Sequence, residues 1–344
     1  MKRRLVIAAA ALGAALAVAA GAGAKAGGTT LTGAGSTFVS PLVSLWAADY
    51  GQKTGVKIAY SPVGSGAGIA AITARQVDFG ASDAPLSPDQ FAACNGCVQI
   101  PWALSATAII YNLPGVPNDL HMTGPVLARI YLGQITRWND PAIKALNPKV
   151  ALPSTAITPV YRSDNSGTTY NFTDYLSAVS PAWKEKIGRG VNANWPAGQG
   201  GKGSAGVAGV VSNTQGAVGY VDVAFALKNR LKFMAIRNAS GVYTTPGLRG
   251  IEAAAATVKS VPPSNEMHIV NPPKGDRLAY PICTFTYVIL PLRSDKAAEL
   301  RRFVFYAVSP TQGQKLGPKL LFAPLPKVVL VAAEKTLRKV QAAA

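Results

Sequence analysis

The sequence predicts an α/β protein folded as two lobes, and three observations carry that prediction. At 344 residues the chain exceeds the length, about 250 to 300 residues, beyond which a single hydrophobic core tends to split. Apolar runs of strand length alternate with amphipathic helical stretches, the pattern of a mostly parallel sheet covered by helices. Between them lie turns rich in glycine, serine and threonine, in keeping with 34 glycines and 25 prolines. Several of these turns lead from a strand into a helix, which aims backbone amides outward at the helix start. With 49% hydrophobic residues and no repeat, the composition excludes disorder and fibrous folds.

Residues 1–26 read as an export signal: Lys2, Arg3 and Arg4 form a positive end, Leu5 through Ala20 an apolar stretch, and Ala22-Gly-Ala24 or Ala24-Lys-Ala26 a small-residue cleavage site. The apolar stretch is short for a membrane span, and no cysteine lies near the cleavage site to take a lipid. A cleaved leader and a periplasmic mature protein are therefore expected. The formal charge is +18, and losing Lys2, Arg3 and Arg4 leaves the chain strongly basic. The lysines and arginines are scattered, with no run longer than those three, so no nucleic-acid partner is expected. The charge acts instead as a background field that draws anions to any cleft.

After the leader, Leu31-Thr-Gly-Ala-Gly-Ser-Thr-Phe38 reads as a strand entering a small-residue turn. Leu42, Leu45, Trp46 and Tyr50 then recur at helical spacing, with Pro41 near the start and Gly51 and Gly55 available to stop the helix. Val56 to Tyr60 is the next strand, followed by the turn Gly64-Ser-Gly-Ala-Gly68 and a helix carrying Ile69, Ile72 and Val77. In Val77-Asp-Phe-Gly-Ala-Ser-Asp-Ala-Pro85, Asp83 sits in a turn of small residues. A carboxylate beside an anion site makes sense if the ligand carries its own proton: Asp83 then accepts a hydrogen bond from a protonated oxyanion and repels one without a proton.

The stretch most suited to an oxyanion is Arg162-Ser-Asp-Asn-Ser-Gly-Thr-Thr169, between a strand ending at Tyr161 and a helix over 170–176. Arg162 offers a planar fork of donors, Gly167 permits close backbone approach, and Ser166, Thr168 and Thr169 can cap the helix or donate hydroxyls. Ser105 to Asn112 and Thr284 to Pro291 read as apolar strands, and residues 328–341 as a terminal amphipathic helix.

These motifs together resemble the PstS family, the phosphate-binding proteins of bacterial phosphate ABC transporters. The resemblance extends through Ile130-Tyr-Leu-Gly-Gln-Ile-Thr-Arg-Trp-Asn-Asp140, Trp195-Pro-Ala-Gly-Gln-Gly-Gly-Lys-Gly203, Gly216-Ala-Val-Gly-Tyr-Val221 and Ala323-Pro-Leu-Pro326, nearly the whole chain after the leader. It implies a type II periplasmic binding protein fold, with a ligand cleft between lobes joined by two crossover strands. The implied division is 27–112 and 284–344 in lobe one and 113–283 in lobe two. By resemblance, Thr37 and Phe38 contact one side of an inorganic phosphate and Ser65 donates from the second turn. Asp83 takes the ligand's proton, and Arg162, held by Asp164, makes the charged contact. Ser166, Gly167 and Thr168 complete the cage. Asn165 stands where the family often has glycine, and asparagine tolerates a left-handed turn. The implied partners are phosphate and membrane permease subunits, with a monomeric binding protein, no cofactor and no catalysis.

Other features are weighed against this reading. Cys94-Asn-Gly-Cys97 lies in a loop before an apolar run, and in an oxidising compartment it reads as a short structural disulfide rather than a redox or metal pair. Cys283 reads as a small buried hydrophobe. His121 and His268 neighbour no other candidate ligand, so no metal site is expected. Asp89, Glu185 and Glu299 read as solvated acids, and Trp46, Trp102, Trp138, Trp183 and Trp195 as core or rim residues. Sulfate is disfavoured as ligand because it has no proton at neutral pH for Asp83 to accept; arsenate has one and is not distinguished. Ser163-Asp-Asn165 and Lys53-Thr-Gly55 resemble two fragments of the penicillin-recognising serine hydrolases. They stand in reversed order, and no Ser-x-x-Lys supplies a nucleophile with its base.

Overall fold

The computed structural model describes residues 28–343, so the leader expected at 1–26 lies outside them. The first strand, β1 (Thr30–Gly35), runs into the small-residue turn, and α1 (Ser40–Thr54) follows. α1 buries Leu42, Val43, Trp46 and Tyr50 and ends at Gly55, whose φ of 74° makes the left-handed stop that glycine allows most easily. After β2 (Lys57–Ser61), α2 (Ser65–Thr73) is short. Val77, expected on α2, lies beyond its end and packs beside a small satellite cluster of Ile69, Ile72, Leu86 and Ile289. β3 (Phe79–Ser82) leads through Asp83 to α3 (Pro88–Cys94), started by a reciprocal Ser87–Gln90 capping box. Then comes the longest strand, β4 (Cys97–Tyr111).

The second half of the chain adds β5 (His121–Met122), α4 (Gly124–Tyr131), α5 (Pro141–Leu146), β6 (Thr158–Arg162), α6 (Gly167–Val179) and α7 (Pro181–Lys186). β7 (Gln199–Gly201), α8 (Gly203–Asn213), β8 (Ala217–Asp222) and α9 (Val223–Lys228) follow. Three short strands, β9 (Lys232–Phe233), β10 (Ala235–Arg237) and β11 (Tyr243–Thr244), precede α10 (Leu248–Ala255). The return strand β12 (Cys283–Pro291), α11 (Ala297–Val308) and α12 (Lys327–Leu337) complete the chain. Among the described residues no helix is long and apolar enough to cross a membrane.

One sheet passes through both lobes in the order β2-β1-β3-β12-β4-β8-β6-β7, with β9 also on β4. It is mixed rather than mostly parallel. β1 is parallel to β2 and β3, and β6 is parallel to β7 and β8. β12 runs antiparallel to β3 and β4, and β4 antiparallel to β8. The reason is topological: the strand that leaves one lobe and the strand that returns to it point in opposite directions, and both lie at the centre. β4 serves both lobes, since residues 97–106 pair with β12 and residues 107–111 with β8. At the change of partner, Thr107 N donates to the Ile282 carbonyl at 2.8 Å, and the buried Asn171 amide of α6 donates to Thr107 Oγ1 at 2.8 Å.

Trp46, Trp102, Trp138 and Trp183 are fully buried. Trp46 lies 5.0 Å from Trp102, and Phe79 and Phe303 pack around Trp102. Aromatic pairs of this kind contribute about 0.5–1.5 kcal/mol each beyond the area they bury, and here they fix α1, and with it the turn before it, against the sheet. The long segment between α10 and β12 has no strand or helix of its own, yet it is tied down: Asn265 Nδ2 donates to the Gln99 carbonyl and to Thr336 Oγ1, and Gln99 Nε2 donates back to the Ser264 carbonyl. His268, expected to neighbour no other ligand type, sits between Asp174 and Glu266 at 3.0 Å from each. The sequence places the two acids far from and near to His268 respectively, and only the segment's path across α6 joins them. Among the described residues no group of three or more His, Cys, Asp or Glu side chains is arranged to hold a metal ion.

Gly35 gives a direct test of this packing. Its φ is +143°, and a Cβ there would lie 2.0 Å from the Ala81 carbonyl oxygen, between β1 and β3. Gly35→Ala is expected to cost about 3 kcal/mol or more. Gly209→Ala, in α8 with open space around its Cβ, is expected to be neutral or to stabilise by up to about 1 kcal/mol. Urea unfolding of both variants measures the difference.

Candidate functional site

The three helix starts singled out in the sequence converge between the lobes. In the first, Ser36 is the organising residue: its Oγ accepts from the amides of Phe38 (3.0 Å) and Val39 (3.3 Å) and donates to Asp83 Oδ1 at 2.5 Å. The Phe38 ring is buried in the core, edge-on to Phe322. Thr37 is half-buried, with Oγ1 3.0 Å from Ser204 Oγ of α8 across the cleft. In the second, Ser65 opens α2 and its Oγ accepts from the Asp83 amide at 3.3 Å.

The third start belongs to the other lobe. Arg162 ends β6 and is 2% exposed. Its Nε donates to Asp164 Oδ1 at 2.8 Å, its Nη2 to Asp164 Oδ2 at 2.6 Å and its Nη1 to Thr168 Oγ1 at 3.4 Å. Asp164 also accepts from the Gly203 amide at 2.9 Å. Ser166 caps α6 by accepting from the Thr169 amide. Tyr220 braces the turn from below, its hydroxyl accepting from the Arg162 amide at 3.1 Å and lying 2.8 Å from Thr169 Oγ1.

The lobes touch. A Cβ on Gly167 would meet the Asp83 amide nitrogen and Ser65 Oγ, each at 2.6 Å, so only glycine lets the start of α6 lie against the first lobe here. The Gly66 amide donates to the Asn165 carbonyl at 2.9 Å, which closes the cleft at that edge. Asn165 does not take a positive φ, so the left-handed turn that asparagine tolerates is not used. Ser65, Asp83, Arg162, Gly167 and Thr168 thus meet directly, with Asp164 and Ser166 behind them and Thr37 and Phe38 joined through Ser36. Cys94 and Cys97 lie elsewhere. They form a disulfide between the last residue of α3 and the first of β4, rather than within a loop, and Arg75 braces it by donating to the Cys94 carbonyl. Ser36, Ser204 and Asp222 are the site residues that sequence reasoning missed. Ser36 was visible within the first motif, while Ser204 and Asp222 become neighbours of the cleft only through folding.

Burial sets the electrostatics. It pushes the Asp83 carboxyl up to about 7, against the opposing pull of the Ser36 hydrogen bond, the Arg162 charge and the Thr168 and Ser65 hydroxyls. Asp222, buried at the end of β8, is likewise pushed up to about 7 by burial, with the Asp83 charge adding to the shift. Asp164 goes the other way. Burial pushes it up, but the two bonds from Arg162, the guanidinium charge and the Gly203 amide outweigh that and leave it below the ordinary carboxylate range. Beside the buried cluster a groove of about 860 Å³ opens between α1 and α8, with Thr37, Asp164 and Ser204 on its walls. A second groove, of about 400 Å³, lies away from the cleft between α11 and α12.

Two lobes on a shared mixed sheet, closing over a buried cation and three helix starts, define a solute-binding protein of the type II periplasmic fold. Residues 20–311 match the family described as a PBP superfamily domain. The chain is 41% identical to the phosphate-binding protein PstS of Xylella fastidiosa, over 86% of this chain and 81% of that one. It is 38% identical to PstS of Pasteurella multocida, over 91% and 89%. The chain belongs to the PstS family. In fold it is similar to the phosphate-binding protein from Stenotrophomonas maltophilia, with a TM-score of 0.71, 20% identity and coverage of 89% of this chain and 93% of that one.

The raised Asp83 carboxyl has a consequence for stability. Where the folded carboxyl titrates near 7 and the unfolded one near 3.8, the folded state holds more protons between those values, so stability of the ligand-free protein falls as pH rises through that window. Asp83→Asn is expected to flatten that decline, as read by urea unfolding from pH 4.5 to 7.5. An unchanged slope would show that Asp83 is ionised throughout.

Proposed function

We propose that the protein captures inorganic phosphate in the periplasm, as a monomer, and delivers it unchanged to the membrane permease of an ABC transporter. The observation that carries this reading is a carboxyl, Asp83, in the same closed cleft as the Arg162–Asp164 pair. A cleft built only to attract anions has no use for Asp83. One built for an oxyanion that keeps a proton does, because the carboxylate accepts that proton's hydrogen bond while Arg162 and the helix starts satisfy the other oxygens. Against an ionised Asp83, sulfate has no proton to offer and makes a buried like-charge contact, so it is rejected above about pH 7, where Asp83 gives up its own proton. Arsenate carries the same proton and is admitted. The names of the PstS relatives, all phosphate-binding proteins, support the same assignment.

In this reading Thr37, Phe38, Ser65 and Asp83 bind from lobe one and Arg162, Ser166, Gly167 and Thr168 from lobe two, with Asp164 holding Arg162. The division into 27–112 with 284–344, and 113–283, is supported in outline by β4 leaving the first lobe and β12 returning to it, although β4 already pairs with β8 of the second lobe from Thr107 onward. A hydrolase reading gains nothing from the site. Lys53 is bonded to Asp49 at the end of α1, His121 stacks on Tyr243, and His268 is held between two acids, so none of them is engaged with a serine of the cleft.

Calorimetric titration of the mature protein, stripped of ligand, with phosphate, sulfate and arsenate tests the proposal. One-to-one binding of phosphate and arsenate without a sulfate signal is expected. Arg162→Ala is expected to lose at least about thirtyfold in phosphate affinity, the equivalent of about 2 kcal/mol or more for a buried charged contact. A folded, ligand-free protein that gives no heat with phosphate would overturn the assignment.

A further inference from the structure

We infer that Asp222 is a positioning residue for the anion site, acting through Ser204 to set the direction of the Thr37 hydroxyl, and that it must carry a proton for that hydroxyl to face an oxyanion as a donor. The inference rests on the phosphate-binding reading above. It comes from counting hydrogens along three groups in a row. Asp222 Oδ1 accepts from the Phe225 amide at 2.7 Å, capping α9, and Oδ2 lies 3.3 Å from Ser204 Oγ. Ser204 Oγ in turn lies 3.0 Å from Thr37 Oγ1, on the other side of the cleft. Asp222 is 0% and Ser204 1% exposed, so neither settles its hydrogen bonds with bulk water.

Each hydroxyl has one hydrogen to give. If Asp222 is ionised, Ser204 must donate to it, Thr37 must donate to Ser204, and only lone pairs of Thr37 are left to face the ligand. An oxyanion meets those lone pairs unfavourably. If Asp222 is protonated, every bond in the row reverses: Oδ2–H donates to Ser204, Ser204 donates to Thr37, and Thr37 donates to the anion. The row has these two complete settings, and the proton on Asp222 selects between them. By reciprocity, filling the site with an oxyanion draws a proton onto Asp222.

The surroundings favour the protonated setting. The groups facing Asp222 are Ser204 of α8, the Phe225 amide of α9, Thr107 opposite it in β4, and the Asp83 carboxyl of the first lobe, whose charge acts against a second negative charge. Among the described residues no lysine, arginine or histidine forms an ion pair with Asp222; Lys202, just before α8, and Lys228, at the end of α9, are exposed. With burial pushing the carboxyl up to about 7, the proton is taken up within the neutral range.

Two variants separate this role from simple helix capping. Asp222→Asn keeps an oxygen for the Phe225 amide and places a permanent donor toward Ser204. Ser204→Ala cuts the row while leaving both carboxyls, and their mutual repulsion, in place. Phosphate titration in buffers of different ionisation enthalpy between pH 7 and 8.5 counts the protons taken up per phosphate bound. The wild type is expected to take up more protons than either variant, and its affinity to fall more steeply with pH than theirs, by up to about tenfold per unit above 7. Equal proton uptake and parallel pH profiles in all three proteins would overturn the inference while leaving phosphate binding intact. A loss of linkage in Asp222→Asn but not in Ser204→Ala would also overturn it, since charge coupling to Asp83 would then suffice. A wild type that binds no phosphate would instead remove the reading on which it rests.

Discussion

A guanidinium with almost no access to water sits at the centre of this protein, and the rest of the cleft is arranged around keeping it there. Removing a charge of that kind from water costs several kcal/mol even after relaxation, and an arginine left alone would turn outward instead. Asp164 prevents this by taking Nε and Nη2 together, a two-point contact that fixes the plane of the fork as well as its position. The carboxylate is itself anchored by the Gly203 amide at the start of α8. Neutrality of the pair is what allows the site to be buried. The remaining face of the fork is turned toward Thr168 and the cleft.

Set against that pair, the two other carboxyls near the cleft have a different character. Asp83 and Asp222 form no ion pair among the described residues, and burial pushes both carboxyls up to about 7, against the pull of the Arg162 charge on Asp83 and with the Asp83 charge adding to the shift of Asp222. One cleft therefore contains a carboxylate held ionised by contact with a cation and two carboxyls that burial makes protonatable. The division of labour follows from where each acid meets its donors: Asp164 meets N–H groups of a charged side chain, whereas Asp83 and Asp222 meet mainly hydroxyls and single amides.

Much of this was legible in the sequence because it depends on residues close together in the chain. The helical spacing of Leu42, Trp46 and Tyr50 marks the face that α1 buries, and the run from Arg162 to Thr169 contains the ion pair, the cap and the close-approach glycine within eight residues. What was not legible depends on pairs distant in sequence. Ser36 gains its role from Asp83, and Ser204 gains its role from Thr37, so neither could be told from an ordinary turn serine. The mixed direction of the sheet was missed because hydrophobic pattern reports burial and not strand direction, and β4 and β12 are buried on both faces whichever way they run. Val77 was assigned to α2 because its spacing fits a helix, while the helix itself ends four residues earlier.

β4 crosses from one lobe to the other with its backbone paired on both sides of the exchange of β12 for β8 between Ala106 and Thr107; a bulge that skips Trp102 lies earlier in the strand, within the first lobe. A joint of this kind has no slack loop to swing on. Any opening of the lobes must be taken up as added twist or bend along a ladder whose amides stay paired, since unpairing them in the buried centre would leave donors unmet. The sheet then behaves as a leaf spring: displacement raises a restoring torque instead of releasing a hinge. The same Asn171 that secures the crossing point belongs to α6, whose first turn forms one side of the cleft. Bending at the spine and aperture at the mouth are in this way mechanically geared, and the stiffness of a strand helps to set how readily the jaws part.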